Sequence, residues 1–257
     1  MLLAACSAGQ ERQAFDPDTS TTPDLPPEQG GPPGKTPQSG PVTNETDAGP
    51  DGSAEPCTTT APSNKCGLTP QCGCTLAETC DVEDSAGNVG CVVAGKAPMG
   101  HPCTTTAGCA RGLTCVFGTC HSYCPTAGAK CSDPKTGDCL QVKNTGNVDV
   151  PNLKVCLVAC DLRDVNACGG TTAAGTGVCG VDSTGKTDCQ SGGTRTVNQA
   201  CTPTDECGPG LVCVGSAGSS TCKRWCRVGT SDCGGAVACG SFSTKVMVGT
   251  TEYGACP

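Results

Sequence analysis

The 257-residue chain has no isoleucine and only six aromatic residues: Phe15, Phe117, Tyr123, Trp225, Phe242 and Tyr253. Its 11 Leu, 21 Val and 3 Phe make up about 14% of the chain, below the roughly 20% at which an ordinary hydrophobic interior becomes hard to build. This excludes a large α/β or barrel-type enzyme core. No apolar run is long enough to span a bilayer. No segment sustains a 3.6-residue period, so long helices are not expected. Positive charge is scarce too, with 16 Lys and Arg against 24 Asp and Glu. There is no basic field to attract nucleic acid. Histidine occurs twice, at His101 and His121, which leaves little material for nucleophilic catalysis.

What the chain does have is cysteine, 27 residues of it. In a small-core, secreted-type composition this signals a disulfide scaffold. Acid is concentrated near the N-terminus. Residues 7–56 hold nine Asp or Glu and two basic residues, together with ten prolines and seven glycines. Such a segment cannot bury enough apolar surface to offset its chain entropy, so it reads as a disordered linker. At ~5–6 Å × √n, fifty flexible residues span about 40 Å. Two apparent motifs in the linker carry nothing. Gly34-Lys35-Thr36 lacks the first glycine and the flanking elements of a phosphate loop. Asn44-Glu45-Thr46 is a sequon that matters only in a eukaryotic secretory path.

The cysteines repeat. Cys103, Cys109, Cys115, Cys120, Cys124, Cys131, Cys139 and Cys156 have intervening lengths 5, 5, 4, 3, 6, 7 and 16, and Cys201, Cys207, Cys213, Cys222, Cys226, Cys233, Cys239 and Cys256 have 5, 5, 8, 3, 6, 5 and 16. Other positions agree as well, including Gly112-Leu113 with Gly210-Leu211, Val116 with Val214, and Tyr123 with Trp225. Cys160, Cys168, Cys179 and Cys189 echo the second half of the module, with Cys156 read as shared between the two units. Cys57, Cys66, Cys72, Cys74, Cys80 and Cys91 form a six-Cys unit of different spacing. Without Cys6 the cysteines number 26, an even count that could close 13 disulfides. Their connectivity stays open at this level.

Turn clusters between β-forming runs predict hairpins. One joins residues 178–181 to 187–189 around Asp182-Ser183-Thr184-Gly185. Another joins 80–82 to 89–93 around Asp84-Ser85-Ala86-Gly87. Longer hairpins are expected between Cys139 and Cys156, turning near residues 144–147, and between Cys239 and Cys256. Isolated hairpins are unstable in water, so disulfides must supply what the core lacks. The expected fold class is therefore small and disulfide-rich, mostly β hairpins and loops, with tandem Cys-rich modules following a disordered N-terminal stalk.

Two resemblances bear on this reading. Leu3-Ala4-Ala5-Cys6 resembles the lipobox of bacterial lipoproteins. The resemblance implies that Cys6 is diacylated and cleaved to become the N-terminus. Several acyl chains anchor a protein stably where one does not. Only five residues precede Cys6, so 1–5 reads as a signal-peptide remnant whose true start lies upstream. Ser7, rather than Asp, after the acylated position points to the outer membrane. The Cys-rich part, with Pro70-Gln71-Cys72-Gly73-Cys74 and the spacer, is similar to cysteine-rich lipoproteins of unknown function from delta-proteobacteria. The modules also resemble the Dickkopf N-terminal cysteine-rich domain, although Cys222 and Cys226 stand one residue further apart and an adjacent Cys-Cys is missing. That resemblance implies a rigid extracellular binding module.

Candidate chemistry is sparse. Cys72/Cys74, Cys120/Cys124 with His121, and Cys222/Cys226 have zinc-chelating spacing, but outside the cell such thiols oxidise to disulfides. Asp182-Ser183-Thr184-Gly185 and Asp81-Val82-Glu83-Asp84 offer oxygens but not the ligand order of a calcium loop. No metal or cofactor is expected, and no catalytic residues are assigned. The candidate binding patch is Lys223, Arg224, Trp225 and Arg227, three cations beside the only Trp, since Trp and Arg are favoured interface anchors.

The resulting expectation is a surface lipoprotein, anchored to the membrane through acylated Cys6 and non-catalytic. It would recognise a protein or a polysaccharide and would not bind nucleic acid. Its parts would be 1–5 signal remnant, 6–56 lipid attachment and linker, 57–98 six-Cys unit, 99–156 eight-Cys module, 157–190 partial unit, 191–200 linker and 201–257 eight-Cys module. Two alternatives stand beside it. One is a protease inhibitor with Arg111 as the exposed basic residue of the Cys109–Cys115 loop. The other is an extracellular enzyme with a converging polar pocket.

Overall fold

A computed structural model of the chain describes residues 66–133, 135–202, 207–216 and 219–257. Cys6, the linker and Cys57 lie outside the described residues. Strands and loops make up nearly all of the rest, with one short 3-10 turn at Thr106–Gly108. No helix among the described residues is long and apolar enough to cross a membrane.

The six-Cys region carries β1 (Gly67–Leu68), β2 (Gln71–Cys72), β3 (Glu78–Val82) and β4 (Val89–Val93), paired β1 with β2 and β3 with β4. The first eight-Cys region contains β5 (Leu113–Val116), β6 (Thr119–Ser122), β7 (Thr136–Lys143) and β8 (Asp149–Val158), again two separate hairpins. Next come β9 (Thr171–Thr172), β10 (Gly175–Val181) and β11 (Thr187–Ser191), forming one sheet in the order β11-β10-β9. The last region joins β12 (Leu211–Val214), β13 (Thr221–Arg227), β14 (Gly240–Val248) and β15 (Thr251–Ala255) in the order β12-β13-β15-β14. The four hairpins expected from the turn clusters are all present.

The loops explain themselves chemically. Asp84, Asn144 and Asp182 each accept, through Oδ1, the backbone N–H groups two and four residues ahead, at 2.8–3.0 Å. The residue three ahead has positive φ in every case: Gly87, Asn147 and Gly185. This is one turn solution used three times, and it takes Gly or Asn because other side chains clash in that conformation. Two of the carboxylates that could have suggested calcium, Asp84 and Asp182, are thus occupied by their own loops. The β5–β6 hairpin uses a two-residue turn in which Phe117 and Gly118 both have positive φ, as a right-twisted hairpin with so short a connection requires.

Twelve disulfides join described cysteines, and Cys72 is disulfide-bonded as well. They fall into six crossed couples. These are Cys66–Cys80 with Cys74–Cys91, Cys103–Cys115 with Cys109–Cys120, and Cys124–Cys139 with Cys131–Cys156. The remaining couples are Cys160–Cys179 with Cys168–Cys189, Cys201–Cys213 with Cys207–Cys222, and Cys226–Cys239 with Cys233–Cys256. In five of them the third and fourth cysteines face each other across a hairpin: Cys80 and Cys91, Cys115 and Cys120, Cys139 and Cys156, Cys179 and Cys189, and Cys213 and Cys222. Each is bonded not to its facing partner but to a cysteine of the preceding loop. Cys239 and Cys256 stand just beyond the Gly240–Ala255 pair that closes β14 on β15.

The repeating element is therefore a four-cysteine crossed couple around one hairpin, and an eight-Cys module is two of them in series. This corrects the reading of Cys156 as shared. Cys156 is bonded to Cys131, and Cys160 to Cys189 close a complete couple of their own.

Among the described residues, 15 of the 29 buried hydrophobic side chains are cysteines. Three of the buried clusters consist of cystines with few neighbours, such as Cys103, Cys109 and Cys120. The main aliphatic cluster joins Val82 of β3 to Val116, Tyr123, Val142, Val150, Leu153 and Val155. It spans the six-Cys and first eight-Cys regions, so these share one core. A further cluster packs Val158, Leu162 and the cystines of the four-Cys region against Tyr253. At roughly 2–4 kcal/mol each, chiefly through restriction of the unfolded chain, the crosslinks stabilise what so few apolar side chains could not.

Candidate functional site

Polar contacts between successive regions account for most of the buried charged and aromatic side chains. Tyr123, next to Cys124, accepts the Val82 N–H at 3.1 Å and donates to Asp81 in a short hydrogen bond. Burial, and then the adjacent Asp81, push its phenol well above the ordinary tyrosine range. In the C-terminal region the hydroxyl that plays this part comes from the other strand. Tyr253 on β15 reaches Asp161 at 3.5 Å. Asp81 and Asp161 both directly follow a cysteine, Cys80 and Cys160.

His121 is fully buried on β6. Its Nδ1 faces the Thr119 carbonyl at 2.9 Å and its Nε2 faces Asp188 Oδ1 at 3.1 Å. Asp188 on β11 also accepts the Val158 N–H at 2.7 Å, and Thr119 Oγ1 donates to the Cys189 carbonyl at 2.7 Å. His121, beside the zinc-spaced Cys120, is a joint between two regions. His101 packs its ring over Gly169.

Ion pairs continue the pattern. Asp138 on β7 meets Lys130 at 2.5 Å and Lys186, from the β10–β11 loop, at 2.8 Å. Hydrogen bonds from the two ammonium groups hold its carboxyl down to about 2. Asp232 receives Arg227 through Nε and Nη2, both at 3.0 Å, and Arg163 through Nη1 at 3.1 Å. Arg163 also pairs with Asp161 at 2.6 Å. The two guanidinium groups hold Asp232 well below the ordinary carboxylate range, Arg227 most strongly. Burial works to raise Asp161, but its hydrogen bonds with Arg163 outweigh that and leave it lowered.

Against this frame the candidate patch divides. Lys223, Arg224, Trp225 and Arg227 all lie on β13. Alternation along a strand puts Lys223, Trp225 and Arg227 on one face and Arg224 on the other. Trp225 is half-buried and packs edge-on against Phe242 and Tyr253, with ring centroids 5.7 and 6.4 Å away. Arg227 is committed to Asp232. Lys223 Nζ donates to Asn198 Oδ1 at 2.9 Å, and Arg224 is exposed. The cations are thus not grouped around an open indole. The residues left to meet a partner are Lys223 on one face and Arg224 on the other. Both stand between Cys222 and Cys226, each of which is fully buried and locked in a disulfide.

Arg111, the basic residue considered for an inhibitory loop, donates from Nε to the Glu78 carbonyl at 3.0 Å. Its side chain closes the contact with the six-Cys region. The zinc-spaced Cys74, Cys120, Cys124, Cys222 and Cys226 all lie in disulfides. Sequence reasoning missed His121–Asp188, Tyr123–Asp81 and Arg163–Asp232. Nothing in the sequence pairs residues 67, 42 or 69 positions apart. The chain matches no family model, no curated protein and no solved structure.

Proposed function

We propose that the chain is a lipoprotein held at the outer membrane or cell surface through acylated Cys6, with disulfide-locked modules that recognise a protein or a cell-surface polymer without catalysis. One observation carries the recognition reading. The segment Lys223-Arg224-Trp225 is pinned at both ends by buried cystines, so its backbone is held in place before any partner arrives. A surface fixed in advance loses little conformational entropy on binding. The anchor reading rests on Leu3-Ala4-Ala5-Cys6 and on an acidic, proline-rich spacer between that cysteine and the first described hairpin. The disulfides agree with an oxidising compartment.

Two experiments test this function. Metabolic labelling of producing cells with an alkyne fatty acid should tag the protein, and Cys6→Ser should abolish both the tag and membrane association. A photo-crosslinking amino acid placed at Arg224 in those cells should give one discrete adduct. Absence of any adduct there and at neighbouring exposed positions of the last module would reject recognition by this module.

A further inference from the structure

The two eight-Cys modules carry equivalent faces, one covered and one open. In the first module, Gly100 donates its N–H to the Cys120 carbonyl, Cys120 donates to the His101 carbonyl, and Pro102 bridges to Thr119. In the second, Asn198 donates to Cys222, Cys222 donates to Gln199, and Ala200 bridges to Thr221. Gly100 and Asn198 both have positive φ. The equivalence is therefore residue by residue: Met99 with Val197, Gly100 with Asn198, Thr119 with Thr221, and His121 with Lys223.

The first face is covered by the β10–β11 hairpin. Asp188 meets His121, the Cys189 carbonyl takes the Thr119 hydroxyl, and the Ser191 N–H donates to the Phe117 carbonyl at 2.6 Å. Gly100, Thr119 and His121 are buried as a result. On the second face Asn198, Gln199 and Ala200 are exposed, Val197 is 37% exposed, and Thr221 and Lys223 are half-buried.

We propose that the face formed by Val197, Asn198, Thr221 and Lys223 is a docking site for a β hairpin of a partner protein that presents a carboxylate. The hairpin would sit as β10–β11 sits on the first module. Lys223 stands where His121 receives Asp188, and its ammonium is the group to receive that acid. Thr221 stands where Thr119 donates to a backbone carbonyl, so it would hold the edge of the incoming strand. Lys223 now rests on Asn198 Oδ1, a neutral acceptor that a carboxylate displaces at little cost, because a charged acceptor makes the stronger hydrogen bond. This inference rests on the recognition reading above and gives it a site and a partner chemistry.

The test uses the full oxidised chain labelled with 15N and a synthetic peptide copying residues 175–191, closed by a bond between its own two cysteines. Titration should shift the amide resonances of residues 197–199 and 221–223 saturably, with a Kd at or below about 1 mM. Replacing the Asp188 position of the peptide by Asn, or Lys223→Glu in the protein, should weaken binding at least about tenfold, with Lys223→Gln intermediate. The spectrum of each variant reports whether it is folded. No shifts at about 1 mM peptide, or shifts insensitive to Lys223→Glu, overturn the proposal. Recognition through another surface of the last module would still give an adduct in the crosslinking experiment, which separates the two failures.

Discussion

His121 and Asp188, 67 positions apart, meet at 3.1 Å with both side chains almost wholly out of solvent. The pair joins the first eight-Cys module to the four-Cys region that follows it. Asp188 is anchored in turn by the Val158 N–H. Buried partners of this kind are costly to separate, because the remaining group stays desolvated without a partner.

Asp188→Ala removes the partner of His121 Nε2 and the acceptor of the Val158 amide. The loss should be about 3 kcal/mol. Urea unfolding of the oxidised protein measures it. A change below about 1 kcal/mol would mean the joint contributes little.

Tyr123→Phe removes one hydroxyl from a buried site and leaves Asp81 and the Val82 N–H without it. The expected cost is about 1–2 kcal/mol in the same measurement. The pH dependence gives a second check. Burial and Asp81 raise the Tyr123 phenol above its ordinary value of 10.0. A group raised in the folded state contributes stability that is complete below the unfolded value and fades as pH rises beyond it. Above pH 10 the wild type should therefore lose stability more steeply than Tyr123→Phe.

Acid acts at different residues. Asp138 is held at about 2 against an ordinary 3.8, and Asp161 and Asp232 are lowered as well. A lowered carboxyl contributes stability that is complete above the unfolded value and is lost as pH falls through the folded one. Stability should thus decline from about pH 4 toward pH 2. Asp138→Asn and Asp232→Asn should each be less stable than wild type near neutrality and should each flatten that decline. An unchanged acid slope in both variants would contradict the assignment.

Much of this fold was legible because hairpin chemistry is local. Asp182 with Gly185, and Asp84 with Gly87, announce their turns within four residues, and the cysteine spacing announces the repeat. The Phe117-Gly118 turn could have been read from its equal flanking runs, but Phe at positive φ is uncommon. The four-cysteine couple was obscured because the loop lengths differ, 11 to 25 positions from first to second partner. The candidate patch was legible only as composition. Strand alternation divides it, and Asp232, which also receives Arg163 from another region, takes up Arg227.

Replacing Cys160 and Cys179 together by Ser removes one bond of a crossed couple and should cost about 2–4 kcal/mol. The partner bond Cys168–Cys189 should stay formed. Loss of that bond too, seen as two new thiols, would show that the couple forms only as a unit.

The central claim is that crossed sulfur bridges, rather than an apolar interior, hold this chain in shape. Mass spectrometry of peptides from the non-reduced, alkylated native protein tests it most directly. The account predicts no alkylated cysteine among residues 66–257 and linked pairs including Cys103–Cys115, Cys109–Cys120, Cys131–Cys156 and Cys168–Cys189. Bridges between facing cysteines such as Cys115 and Cys120, or a majority of free thiols, would contradict it.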